Sequence, residues 1–137
     1  MKYFTFEELI RSNVALQNSV DNLPPKEERA KVYFNLVVLV DNLLDPIRER
    51  FATPVIITSG YRCKRLNELV KGVENSQHME GKAADFYFAG FTAKEMTQAF
   101  FEIAESYSFD QLIFYRKRHF IHISYNSTKN RNEAFIR

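Results

Sequence analysis

The sequence predicts an α+β fold in which N-terminal helices pack on a small antiparallel sheet that carries the site. Three observations lead there. Tyr33, Leu36, Val37, Val40, Leu43, Leu44, Ile47 and Phe51 recur at helical spacing with charged residues between them. Beyond residue 53 the pattern changes to short runs of β-branched and aromatic residues bounded by turn residues. The helical first third precedes a largely stranded remainder instead of alternating with it, which favours α+β over a parallel α/β sheet.

Taken in chain order, Phe6, Leu9 and Ile10 give a short amphipathic helix after Thr5 that ends near Ser12-Asn13. Asp21-Asn22-Leu23-Pro24-Pro25 is a turn leading into the long helix, which Pro46 kinks or restarts because it has no backbone N–H. Residues 53–58 read as a buried strand stopped by Ser59-Gly60, and residues 64–71 as a short helix around Leu66, Leu69 and Val70. A polar loop over residues 72–77 delivers His78, and a second strand over 83–88 has Asp85 near its start. Thr92-Ala93-Lys94-Glu95 is a capping box opening a helix whose apolar face is Met96, Ala99, Phe100 and Ile103. Residues 110–115 and 119–125 are strands joined in a hairpin by Arg116-Lys117-Arg118, with His122 in the second arm. Residues 126–137 read as a polar tail, and there is no internal repeat.

With 137 residues, 45% of them hydrophobic, the chain is long enough for one domain with a core and too short for two, so residues 1–137 are expected to form one unit. The balance of 19 Lys+Arg against 17 Asp+Glu leaves a net charge of +2 and no basic block, which argues against a nucleic-acid partner. The mild basicity leans towards an anionic polymer such as a cell wall. One cysteine excludes an internal disulfide. No stretch is apolar enough to span a bilayer, and the first residues lack a signal-peptide pattern. Synthesis and retention in the cytoplasm are therefore expected, as is a monomer.

All three histidines fall within two segments, residues 76–85 and 119–122, and the first also holds Asp85. A lone histidine in a small protein is usually a satisfied polar residue. Two histidines and an aspartate beside glycine and small residues have instead the composition of a zinc site. Three protein ligands of the type His, His and carboxylate leave a tetrahedral position for water, the arrangement of a catalytic zinc.

Ser59-Gly60-Tyr61-Arg62, then Asn67, Ser76-Gln77-His78 with Gly81, Ala83 and Asp85, and finally Phe120-Ile121-His122-Ile123-Ser124 resemble the M15 family of zinc D-Ala-D-Ala carboxypeptidases and related peptidoglycan peptidases. The likeness is to the small M15A-like branch often encoded by bacteriophages. It extends to the opening Phe4-Thr5-Phe6-Glu7-Glu8-Leu9 and to the turn with Asn22 and Pro24-Pro25. The implied fold is hedgehog/DD-peptidase-like.

The resemblance implies zinc (Zn2+) held by His78, Asp85 and His122, lowering the pKa of its bound water towards roughly 7 for attack on an amide carbonyl. Arg62 matches an arginine expected to contact the substrate carbonyl or terminal carboxylate, although by itself it reads as a surface residue at a helix start. Family members commonly have Asp or Glu three residues before the last zinc histidine. Here that position is His119, and imidazole, which titrates near neutrality, suits a general base. Strict strand alternation puts His119 and His122 on opposite faces, so His119 must lie in the turn or at an irregularity to reach the metal. Glu80 is the competing carboxylate, expected to point to solvent. Ser76, Gln77 and Ser124 are candidate substrate contacts or plain polar neighbours. Cys63 reads as a small packed residue, and Tyr61, Phe86, Phe88 and Phe120 as core or cleft wall.

Three functions remain open at this level. One is a zinc peptidase cutting the peptidoglycan stem peptide, at the D-Ala-D-Ala end or the L-Ala-D-Glu bond, and reaching the wall after release from the cytoplasm. Another is a non-catalytic cell-wall-binding or virion component that keeps the zinc cage, suggested by the His119 departure. The third is a zinc amidase cutting between sugar and peptide, against which the order His, Asp, His and the Arg62 turn argue.

Overall fold

Thr5 and Ser12 each start a helix in the computed structural model, which describes residues 1–137. Thr5 Oγ1 accepts the Glu8 N–H at 3.2 Å and opens α1 (Phe6–Ile10), while Ser12 Oγ accepts the Ala15 N–H at 3.1 Å and opens α2 (Asn13–Gln17). Ser12-Asn13 is thus a second beginning as well as the end expected of it, because a serine able to terminate one helix can equally cap the next. The long helical path follows as α3 (Arg29–Leu39), a π-turn (Val40–Leu44) and α4 (Asp45–Phe51), with Pro46 in the first turn of α4. The Asp45 N–H bonds back five residues to the Val40 carbonyl. This widened turn lets the chain pass the proline ring, which would otherwise press on a carbonyl one turn back.

The sheet has five strands, β1 (Val55–Ser59), β2 (Ala83–Phe88), β3 (Gln111–Tyr115), β4 (Phe120–Ser124) and β5 (Glu133–Ile136), in the order β1-β2-β4-β3-β5. The fold is α+β, as the sequence implies, with two corrections. The first four strands each pair antiparallel with their neighbours among them, but β5 runs parallel to β3, so the sheet is mixed. The presumed tail is therefore partly sheet. Its apolar stretch Ala134-Phe135-Ile136 is too short to show a period, and its partner lies more than twenty residues away. The second correction concerns β1, which is an edge strand with Ile56 exposed, not a buried one.

Helices α5 (Lys64–Leu69) and α6 (Ala93–Ser106) complete the fold, the latter with its capping box between Thr92 and Glu95. One sheet face carries Ala84, Phe86, Phe88, Leu112, Phe114, Ile121 and Ile123, all fully buried. They join Leu36 and Leu39 of α3 and Met96, Ala99, Phe100 and Ile103 of α6 in one apolar cluster of 23 residues. Each of the larger side chains contributes roughly 1.5–3 kcal/mol on burial. No helix is long and apolar enough to cross a membrane.

The other face carries the chemistry. Cross-strand register places Ser59, Asp85, His122, Ile113 and Phe135 in one row, each paired with the next. Tyr87, Phe120 and Tyr115 lie one step along on the same face.

Asp110 ties β5 to this sheet. Arg131 donates to it from Nε at 3.0 Å, from Nη2 at 2.8 Å and from its backbone N–H at 3.0 Å. The Arg131 bonds chiefly, opposed by burial and helped by Gln77, hold the Asp110 carboxyl down at about 2 against an ordinary 3.8. A carboxyl depressed in the folded state stabilises the fold above its unfolded pKa and ceases to do so as pH falls through the folded one. Up to about 2 kcal/mol should therefore drain away between pH 4 and pH 2. Asp110→Asn should lose that amount near neutrality and flatten the acid limb of a denaturant-midpoint against pH curve.

Candidate metal centre and its cleft

His78 sits in a single 3-10 turn (Gln77–Glu80), capped by Ser76 Oγ, which accepts the His78 N–H at 3.2 Å. Gly81 ends the turn at φ 76°, a left-handed conformation that glycine adopts without steric cost. The buried imidazole has its Nδ1 2.7 Å from the Gly60 carbonyl. A carbonyl only accepts, so Nδ1 donates to it, and this holds the ring with Nε2, the atom free for a metal, towards Asp85 Oδ1 at 3.3 Å.

Asp85 on β2 and His122 on β4 are direct register partners, and His122 Nδ1 lies 2.8 Å from the same Asp85 Oδ1. The three donor atoms all fall within 4.8 Å of one another. Burial alone would raise the Asp85 carboxyl, but His78 and His122 outweigh it and hold it well below the usual carboxylate range. Two imidazole nitrogens converging on one carboxylate oxygen, one of them with its tautomer fixed by a backbone acceptor, fit a borderline divalent cation well.

The set lies on the floor of a cleft of about 870 Å³. Arg62 lines it, and its backbone N–H donates to the His78 carbonyl at 3.0 Å. Its Nε is buried with no hydrogen-bond partner, and burial lowers the guanidinium pKa despite the opposing effect of Asp85. A buried donor without a partner is uncommon.

His119 also lines the cleft, from the last position of the β3–β4 turn, at φ 57°. That left-handed residue breaks the alternation and brings the ring to the site face, 6.1 Å from the Tyr87 ring centroid. Glu80 is exposed, 3.6 Å from Lys82 Nζ, and takes no part in the cleft wall.

The remaining candidates separate. Ser76 borders the cleft, its hydroxyl engaged by the His78 N–H. Gln77 is turned away, donating from Nε2 to Asp110 at 2.9 Å, and is absent from the cleft wall. Ser124 shares the His122 face but is fully buried, its hydroxyl accepting the Gln111 N–H at 3.0 Å, which corrects the expectation that it borders the cleft. Gln111 lines the cleft instead. Cys63 caps α5, its sulfur accepting the Leu66 N–H, and is not among the metal donors. Phe86 and Phe88 are core; Phe120 is cleft wall. Tyr61 is core too, its hydroxyl pushed up to about 12 mainly by burial.

The sequence did not reveal the supporting contacts. Asn22 donates to the Ile10 and Tyr61 carbonyls at 2.7 and 2.9 Å and accepts the Cys63 N–H at 2.7 Å, clamping the segment that presents Gly60 and Arg62. Read in sequence it was only a turn residue.

Three donors on the wall of an open cleft could hold a metal ion and leave room beside it for water or substrate, which a closed four-ligand site would not. A family model described as Peptidase M15 matches residues 2–124, and the chain belongs to that family of peptidases. No curated protein sequence matches the chain.

Proposed function

We propose that the protein is a zinc peptidase that hydrolyses an amide bond of the peptidoglycan stem peptide, at the D-Ala-D-Ala end or the L-Ala-D-Glu bond, after release to the cell wall. The observation that carries this is the convergence of His78, Asp85 and His122 at the base of a cleft in a chain of the Peptidase M15 family. Zinc held there supplies a Lewis acid and a water acidic enough to ionise near neutrality.

The chain's own residues do the rest. His78 and His122 present ring nitrogens, with Gly60 fixing the tautomer of His78. Arg62, which lines the cleft, binds the scissile carbonyl oxygen or terminal carboxylate through its guanidinium. His119 takes a proton from the attacking water and returns it to the leaving amine. No cleft carboxylate competes for that role, since Asp85 is the one acidic residue on the wall and it belongs to the metal set.

His119→Ala should keep stoichiometric zinc and lower kcat by about 10²–10⁴-fold. An undiminished rate would remove His119 as the base. Mass spectrometry of muropeptides incubated with zinc-loaded protein tests the function itself. Loss of one terminal alanine identifies the carboxypeptidase, and separation of the sugar-bearing L-alanine from the rest of the stem identifies the endopeptidase. Release of the whole stem peptide from the sugar would make it an amidase. Stoichiometric zinc with no product would make it a wall-binding component.

A further inference from the structure

The C-terminal strand adds a wall to the cleft that the metal centre does not need. Phe135 of β5 pairs with Ile113 and so extends the row of Asp85 and His122, and Arg137 follows it at the cleft rim. Both lie beyond the residues matched by the family model. Arg137 is held at both backbone groups, its N–H donating to the Phe114 carbonyl at 2.8 Å and its carbonyl accepting the Arg116 N–H at 3.2 Å.

Its guanidinium lies 5.2 Å from the Phe135 ring centroid and 6.0 Å from that of Tyr115. Across the rim Arg118 lies 5.1 Å from the Phe120 centroid, and Tyr115 and Phe120 stack at 4.7 Å. Guanidinium groups resting on aromatic faces keep their N–H edges free for a carboxylate. Neither arginine has an ion-pair partner, and neither do the other two cleft cations, Arg62 and Lys71. With Asp85 committed to the metal set, no acidic side chain on the wall answers these four charges.

The geometry points to a carboxylate-binding subsite made by Arg137 and Arg118 on the shelf of Tyr115, Phe120 and Phe135, which selects substrates bearing a carboxylate some three residues from the scissile bond. The spacing follows from the sheet. β5 is two strands from β4, about 10 Å at the usual separation, and an extended peptide advances roughly 3.3 Å per residue. The inference rests on the proposed peptidase activity and names its specificity.

The test uses synthetic stem pentapeptides whose non-scissile carboxylates are amidated one at a time. With zinc-loaded wild-type protein, amidation at one position should raise KM about 10-fold and leave kcat unchanged. Arg137→Gln should raise KM for the free-carboxylate peptide by a similar factor and have no effect on the amidated one, Arg118→Gln should behave likewise, and Arg137→Lys should recover part of the loss. An Arg137→Gln effect that is equal on free and amidated peptides, or KM values all within two-fold of wild type, overturns the subsite. Should no peptide be hydrolysed, the peptidase reading fails, and calorimetric binding of the same peptides still decides. An affinity that falls on amidation in wild type but not in Arg137→Gln supports the subsite; equal affinities, or no binding, overturn it.

Discussion

An Asp85→Ala variant is expected to lose stoichiometric zinc and to hydrolyse its substrate at least about 1000-fold more slowly than the wild type. Asp85 is the centre of the set, because the facing nitrogens of both histidines lie within 3.3 Å of its Oδ1. Without it two imidazoles with ring centroids 5.2 Å apart face each other with no negative charge between them, and a divalent cation is left with two neutral donors. Asp85→Asn sharpens the comparison, since it keeps the volume and removes the charge. Metal content by plasma mass spectrometry and the hydrolysis rate should fall together in both variants. In His119→Ala the rate should fall and the metal should stay.

Gly60→Ala should be comparably severe, by another route. A Cβ at this position would stand 2.1 Å from the Leu9 carbonyl oxygen and 2.9 Å from its carbon, so α1 and the end of β1 cannot both stay in place. The obstacle is backbone, not a flexible side chain, and the adjacent Tyr61 N–H depends on that same Leu9 carbonyl at 2.8 Å. A cost of at least about 3 kcal/mol is expected, near the upper end of overpacking penalties. Displacing Gly60 also moves the acceptor that orients His78, which should weaken zinc binding by roughly 10–100-fold in whatever protein remains folded. Chemical denaturation gives the first number and competition with a zinc chelator the second. Wild-type values for both would show that α1 yields freely and that the Gly60 carbonyl does not position the histidine.

What the sequence disclosed follows the range of the interactions involved. The capping box of Thr92 and Glu95 is settled within one turn of helix, so it was legible directly. Asp85 near the start of a strand and His122 in the second arm of a hairpin were legible likewise, from short runs of β-branched and aromatic residues. Ser12 was ambiguous, since a small hydroxyl residue can close one helix or open the next, and it does both. The β-branched composition of β1 suggested burial, but burial depends on strand order, and β1 lies at the edge. β5 was hidden because its three apolar residues sit in a polar segment and its register is set by Asp110 and Arg131.

In the site, the histidines and Asp85 stood out as side chains with few other uses. The Gly60 carbonyl, which fixes one of them, is a backbone group and leaves no mark in a sequence beyond the glycine itself. His119 was read as the first residue of a strand, and strict alternation required it to lie in the turn or at an irregularity to reach the metal; the fold puts it in the turn, with a left-handed backbone. Ser124 failed as a cleft residue because facing the same way as His122 does not guarantee exposure, and its hydroxyl is taken up by the Gln111 N–H.

The most direct measurement is a titration of metal-free protein with zinc, following bound metal and stem-peptide hydrolysis in the same samples. Hydrolysis should rise linearly with bound zinc, break sharply at one equivalent and stay flat beyond it, and His122→Ala should show neither the binding step nor the activity. Hydrolysis by the metal-free protein, or a break at one equivalent that survives in His122→Ala, would contradict a catalytic centre built on His78, Asp85 and His122.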